Sequence, residues 1–341
     1  MPDLPRAWEA CRADFVRAVA SRTGSDATRI KYERTLARFF SDPAKTPEQY
    51  TRADVEAFLH APCADVAHRG KPPSAGTMNN RLSVLSSFYS YAANYGILGA
   101  DGALHPLLTT LAPTAGLRQV QRDRAYRTIA PADFARLFAA MPTDTVKGLR
   151  DRAIFLTLFW TARRRAEITA LRYGDIEPAV FVDGNGARRA GYQYHFYGKG
   201  HARERDTAEL PMPAYAAIRR YLEASGRLPG IRPDDPVFAV TPLYRARGND
   251  THTPMQPASI WRILKEYAAA AGLDPASLCV HSFRHSAVQQ RYAAGEDILS
   301  LQRLLRHASL ATTSVYLQAL VGTADAGASR LEAAFARYST G

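Results

Sequence analysis

The chain has 341 residues, a net charge of +12 and a sequence pI near 9.7, on an ordinary globular composition of 46% hydrophobic and 22% charged residues. That length fits two domains, each able to bury a core, and three scattered cysteines (Cys11, Cys63, Cys279) with no CxxC pair argue against a zinc ribbon or a disulfide framework. No stretch approaches membrane-spanning length and no apolar leader opens the chain, so the expectation is a cytoplasmic protein with a polyanionic partner, nucleic acid ahead of a membrane surface. Charge alone fits a basic enzyme without nucleic acid equally well.

From about Trp8 to Leu111 the spacing predicts helices and no strand. Trp8, Cys11, Phe15 and Val19 share one helical face, and Tyr32, Leu36 and Phe40 repeat the pattern after a break at Gly24, Ser25 and Asp26. A third helix over 54–60 follows Thr51 as N-cap. A fourth begins after Pro72-Pro73-Ser74 and runs to about Tyr95, with Leu82, Leu85, Phe88, Tyr89 and Ala92 as its apolar side. Asn79, Asn80 and Arg81 on the rest of its surface suit DNA contacts, or simply a solvated face. Residues 113–127 read as a joint between domains at 1–112 and 128–341. The joint carries Arg118, Arg122, Arg124 and Arg127, which can lie along a DNA backbone or be a solvated linker.

The second domain opens with helices over 131–141 and 146–160. Between 178 and 212 the period changes: Val180, Phe181 and Val182 precede an Asp183-Gly184-Asn185-Gly186 turn signal, and Tyr192, Tyr194 and Phe196 alternate with polar neighbours, predicting a small antiparallel sheet. Helices follow over 214–224, 257–271, 282–294, 297–306, 311–319 and 328–338. The fold class is therefore mainly α, with a helical first domain and a mixed α+β second domain.

Four short segments carry chemistry. In Thr161-Ala162-Arg163-Arg164-Arg165-Ala166-Glu167-Ile168, arginines crowd the start of a helix, where a phosphate is favoured, and Glu167 can hold Arg164. Tyr197-Gly198-Lys199-Gly200 puts an ammonium on a hairpin turn without the residues of a P-loop. In His281-Ser282-Phe283-Arg284-His285, positions 281 and 284 share a helical face, joining a proton carrier to a phosphate grip; the missing glutamate rules against a HExxH zinc site. The fourth runs from Leu304-Leu305-Arg306-His307 to Ser314-Val315-Tyr316. Each alone has a bland reading: a surface ion pair, a solubility lysine, a core histidine, and one packing tyrosine among 17.

Taken in order, these segments resemble the tyrosine recombinase (phage integrase) family, in its simple two-domain form, along nearly the whole chain. The family pattern runs T-G-L-R-x-x-E-L, G-K-G, H-x-L-R-H and L-L-G-H, then a tyrosine nine positions beyond the last histidine. Arg164 takes the place of the first catalytic arginine, with Glu167, Leu171 and Asp175 continuing the match. Lys199 falls on the hairpin lysine, His281 and Arg284 on the H-x-x-R pair, with His285 as a supporting residue. His307 falls on the second histidine and Tyr316 on the nucleophile. The first domain is similar to the family's core-binding domain. Three departures stand out. Ala162-Arg163 replaces Gly-Leu, so three arginines compete and register from Thr161, Glu167 and Leu171 selects Arg164. Arg306 stands where glycine is common. The distance from Lys199 to Leu210-Pro211 implies an extended hairpin.

The resemblance implies that Tyr316 attacks a DNA phosphate, giving a 3′-phosphotyrosine and a free 5′-hydroxyl, with no metal, ATP or other cofactor. A free tyrosine is only about one part in a thousand phenolate at neutral pH, so it needs a base or nearby cations. His281 and the arginines offer both; Arg164 and Arg284 would neutralise the phosphate oxygens, His307 would add a hydrogen bond, and Lys199 would protonate the leaving group. The partners implied are double-stranded DNA with paired half-sites and a homotetramer on that DNA, monomeric off it. Helices starting near residue 8 leave no room for an arm-binding domain, and a stripe of Leu331, Phe335 and Tyr338 suits packing on its own domain or on a neighbouring protomer equally. The rival readings are a type IB topoisomerase, a telomere resolvase and a DNA-binding protein without catalysis.

Overall fold

The computed structural model describes residues 4–64, 69–98, 103–120, 128–182, 186–198, 205–240 and 253–306. The chain divides into two compact units, Met1–Arg124 and Ala125–Gly341.

The first unit is built on four helices: α1 (Leu4–Thr23), α2 (Asp26–Phe39), α3 (Arg52–His60) and α4 (Ala75–Ala93). Their starts follow the capping chemistry in the sequence. Ser25 and Ser74 accept from the backbone N–H groups of Thr28 and Thr77, while Thr51 and Asp54 cap one another reciprocally, at 3.3 and 2.7 Å. Each such cap is worth about 1 kcal/mol. The predicted face of α1 is inside: Trp8, Cys11, Phe15 and Val19 are all buried, against Leu36, Leu85, Phe88 and Tyr89. Burial and the charge of Asp14 push the Cys11 thiol up to about 12, so it acts as a small apolar residue here.

Two expectations change. A hairpin, β1 (Gly96–Leu98) with β2 (Leu104–Pro106), follows α4 where no strand was expected; at three residues each, these strands are too short to show a period. The first part of the expected joint also folds onto the first unit. Pro113 and Thr114 are buried, Leu117 packs on the core, and Val120 exchanges two backbone hydrogen bonds with the Asn79 side chain, both 2.8 Å.

The second unit centres on α6 (Val146–Thr161), an apolar helix packed against α8 (Met212–Ala224) and α10 (Val280–Ala293). Around it lie α5 (Pro131–Ala139), α7 (Arg165–Thr169), α9 (Pro257–Ala270) and α11 (Ile298–Leu305). The predicted sheet is three antiparallel strands in the order β3 (Ile176–Val182), β4 (Arg188–Tyr197), β5 (Arg205–Leu210). Alternation places Tyr194 and Phe196 of β4 in the core. Tyr197 pairs with Arg205 at the end of the β4–β5 ladder, and the extended turn expected after Lys199 lies outside the described residues. The helices expected over 311–319 and 328–338, with the Leu331, Phe335 and Tyr338 stripe, lie outside the described residues.

Candidate active site

The turn from α6 to α7 separates its three arginines. Ala162 closes α6 in the left-handed region, at φ 51°, where a side chain costs about 1–2 kcal/mol and glycine nothing. The reversal sends Arg163 inward. Its guanidinium is buried 4.1 Å over the Phe196 ring, donates to the Tyr194 hydroxyl at 2.7 Å and caps the Leu304 carbonyl at 2.8 Å. Arg165 is exposed on the first turn of α7. Arg164, the N-cap residue of α7, is half-buried and doubly held by Glu167. One carboxylate oxygen accepts from its backbone N–H and the other from Nη1, each at 2.9 Å. Glu167 itself is buried, so these charge-assisted bonds fix the direction of the Arg164 side chain at the mouth of the turn.

Arg284 on α10 is only 2% exposed. It donates from Nη1 to the Ala162 carbonyl at 2.5 Å and from Nη2 to the Leu305 carbonyl at 2.7 Å. Both carbonyls sit at the C-terminal ends of helices, α6 and α11, where a cation is favoured by the helix dipole and by otherwise unpaired acceptors. Arg284 thus ties the segment leading to Arg164 to the segment leading to His307. His281, one turn before it, is exposed. Its pKa is pushed below the ordinary imidazole value by crowding and by the charges of Arg284, Arg164 and Arg165. Since the ring keeps solvent access, those three cations are the firmer cause. The neutral form that they favour is the one able to accept a proton. His285 is half-buried, with its ring centroid 5.9 Å from that of His281.

A groove of about 800 Å³ opens beside this turn, with Arg164, Glu167, His195, Tyr197 and Arg205 in its walls. At its sheet side His195 bridges Glu177 and Thr207, at 2.9 and 2.8 Å. Beyond α11, Arg306 is the second described non-glycine residue at positive φ, 52°, and its guanidinium pairs with Asp206 on β5. Sequence reading noticed the missing glycine but gave no sign of Asp206. Lys199, His307 and Tyr316 lie outside the described residues.

Two of the expected DNA contacts are corrected. Arg81 is buried, its guanidinium donating to the carbonyls of Phe58, Leu59 and Ala61 at 2.6–3.0 Å, and burial lowers its pKa. Asn79 is buried on Val120. Both hold the first unit together rather than face a ligand, because their positions on α4 turn toward the end of α3 and the returning chain. Asn80 and Arg118 are exposed, although Asn80 also accepts from Lys31 at 3.0 Å. Arg122, Arg124 and Arg127 lie outside the described residues. Among the described residues no helix is long and apolar enough to cross a membrane, and no group of three His, Cys, Asp or Glu side chains could hold a metal ion.

Comparison with known proteins gives a consistent result. Residues 127–321 match the model of the phage integrase family. The tyrosine recombinase XerD of Xanthomonas axonopodis pv. citri is 31% identical over 237 residues, 69% of each chain. The XerD of Ralstonia nicotianae is 29% identical over 93% of this chain and 91% of its own. Among solved structures, a lambda integrase tetramer bound to a Holliday junction shares the fold, with a TM-score of 0.59 at 16% identity over 90% of this chain and 76% of the other.

Proposed function

The chain belongs to the phage integrase family of tyrosine recombinases, a site-specific recombinase in kind, and from that premise we propose how its own residues cut and rejoin DNA. Tyr316 attacks a backbone phosphate in a core site. The phosphate becomes a 3′-phosphotyrosine, and the 5′-oxygen leaves with a proton supplied by Lys199. His281, kept neutral by its cationic neighbours, takes the phenolic proton. Arg164, aimed by Glu167, meets the developing charge on a non-bridging oxygen, and the buried charge of Arg284 adds to its stabilisation. His307 adds a hydrogen bond. Because the phosphotyrosine keeps the energy of the phosphodiester, the 5′-hydroxyl of a second strand can reverse the step.

The observation that carries this reading is the joining of the first and third motifs. Arg164 and Arg284 are 120 positions apart, yet Arg284 bonds the carbonyl two residues before Arg164, and both cations act on His281. The substrate is double-stranded DNA with paired half-sites, assembled as four copies of this chain, with Asn80, Arg118, Arg122, Arg124 and Arg127 on the sugar-phosphate backbone.

Covalent trapping tests the reading. Wild type and Tyr316→Phe are incubated with nicked duplexes carrying candidate core sites and run on denaturing gels. An adduct on the 3′ side of the break in wild type alone is the expected result. An adduct that persists in Tyr316→Phe would put the nucleophile elsewhere.

A further inference from the structure

Arg306 is an expensive residue for its position. It ends α11 in the left-handed region, where its side chain costs about 1–2 kcal/mol that glycine would avoid. What it gains is reach. Its guanidinium pairs with Asp206 on β5 and lies 5.9 Å from the centre of the Phe196 ring on β4. The pair is shielded, the Asp206 side chain keeping 18% and Arg306 34% of their exposure. Gly198 closes against this pair: a Cβ there would meet Arg306 Nη1 and Asp206 Oδ2, each at 3.3 Å. One bond further along the chain from Gly198 is Lys199, and one bond further from Arg306 is His307.

We propose that Arg306 and Asp206 are positioning residues: their ion pair latches the β4–β5 hairpin to the end of α11, setting Lys199 for proton delivery to the leaving 5′-oxygen. This rests on the reading of Lys199 as that acid. The latch acts by holding two segments, each adjacent in sequence to a catalytic residue, in one geometry. A displacement of even about 1 Å at a proton donor can cost two orders of magnitude in rate. A glycine before His307, common in the family pattern, has no side chain to make this pair.

The test uses the full chain on nicked core sites with either an ordinary scissile phosphate or one whose 5′-bridging oxygen is replaced by sulfur. A thiolate leaves without a proton, so any defect in acid catalysis disappears on the sulfur substrate. Asp206→Asn and Arg306→Gly should each slow adduct formation on the ordinary phosphate by about tenfold or more, and come within about twofold of wild type on sulfur. Lys199→Ala should show the same pattern more strongly, and the exchanged pair Asp206→Arg with Arg306→Asp should recover part of the rate. Arg306→Gly relieves the backbone, so its melting temperature should be no lower than wild type, which separates positioning from folding. Wild-type rates in both single variants on the ordinary phosphate would overturn the latch. So would a defect of equal size on both substrates. If Lys199→Ala is not relieved by sulfur while the latch variants are, the latch stands and serves another acid; if neither is relieved, both readings fall.

Discussion

Arg81 in the first unit and Arg164 in the second begin alike in the sequence, each a basic residue on a helix of a protein with a +12 surplus, and end in opposite roles. Arg81 is enclosed and donates to three carbonyls at the end of α3, so its charge replaces a helix cap. Arg164 is held by a buried carboxylate at the start of a helix and keeps 29% of its side-chain exposure. Carbonyls around a guanidinium absorb its hydrogen-bonding capacity. A carboxylate behind it orients the group and leaves part of it exposed. Arg284 shares features of both, buried and bonded to two carbonyls yet close to His281, so what surrounds an arginine sets whether hydrogen bonds or only its charge remain for a substrate.

The contrast can be broken most sharply at Arg164. Alanine there should slow cleavage by about 100- to 1,000-fold, as loss of a donor to transition-state charge does, with a smaller loss of stability than Arg81→Ala because Glu167 keeps the backbone N–H of residue 164. Single-turnover adduct formation alongside equilibrium unfolding checks both halves. Arg81→Ala should do the reverse: stability falls by about 2–3 kcal/mol because buried carbonyls lose their donor, while cleavage per folded molecule is unchanged. A normal unfolding curve for Arg81→Ala, with weakened DNA binding, would return it to the DNA interface.

Smaller effects sharpen the picture around the site. Because the pKa of His281 lies below 6.5, its neutral form persists where an ordinary imidazole would be half protonated. The acid limb of the cleavage rate should therefore lie below pH 6.5, and Arg165→Ala, by removing one of the cations, should move it upward. A limb above 6.5, or one insensitive to Arg165, would remove His281 as the base. Ala162→Gly should raise stability by about 0.5–1 kcal/mol, since the left-handed turn suits glycine, as read from the melting temperature.

Much of the fold was legible because its signals are local. Thr51, Ser25 and Ser74 mark helix starts through bonds spanning three residues, and the alternation of Tyr192, Tyr194 and Phe196 marks a strand with one buried face. The Arg164–Glu167 pair was legible for the same reason. What escaped depends on contacts far apart in the chain. Nothing near Arg81 announces the carbonyls of residues 58–61, and nothing near Asn79 announces Val120, 41 positions away. Arg163 fills what the family pattern gives to leucine by stacking on Phe196, 33 positions on, and capping α11. The three-residue strands β1 and β2 are too short for periodicity to register.

The central claim is that Arg164 works on the charge of the scissile phosphate and Arg81 does not. It is tested most directly by placing a neutral methylphosphonate at the scissile position and comparing adduct formation by wild type, Arg164→Ala and Arg81→Ala with that on the ordinary phosphate. The large defect of Arg164→Ala should shrink to a few-fold on the uncharged substrate, with Arg81→Ala tracking wild type on both once corrected for the folded fraction. An Arg164→Ala defect of the same size on both substrates would contradict the account, leaving that arginine, like Arg81, a structural residue.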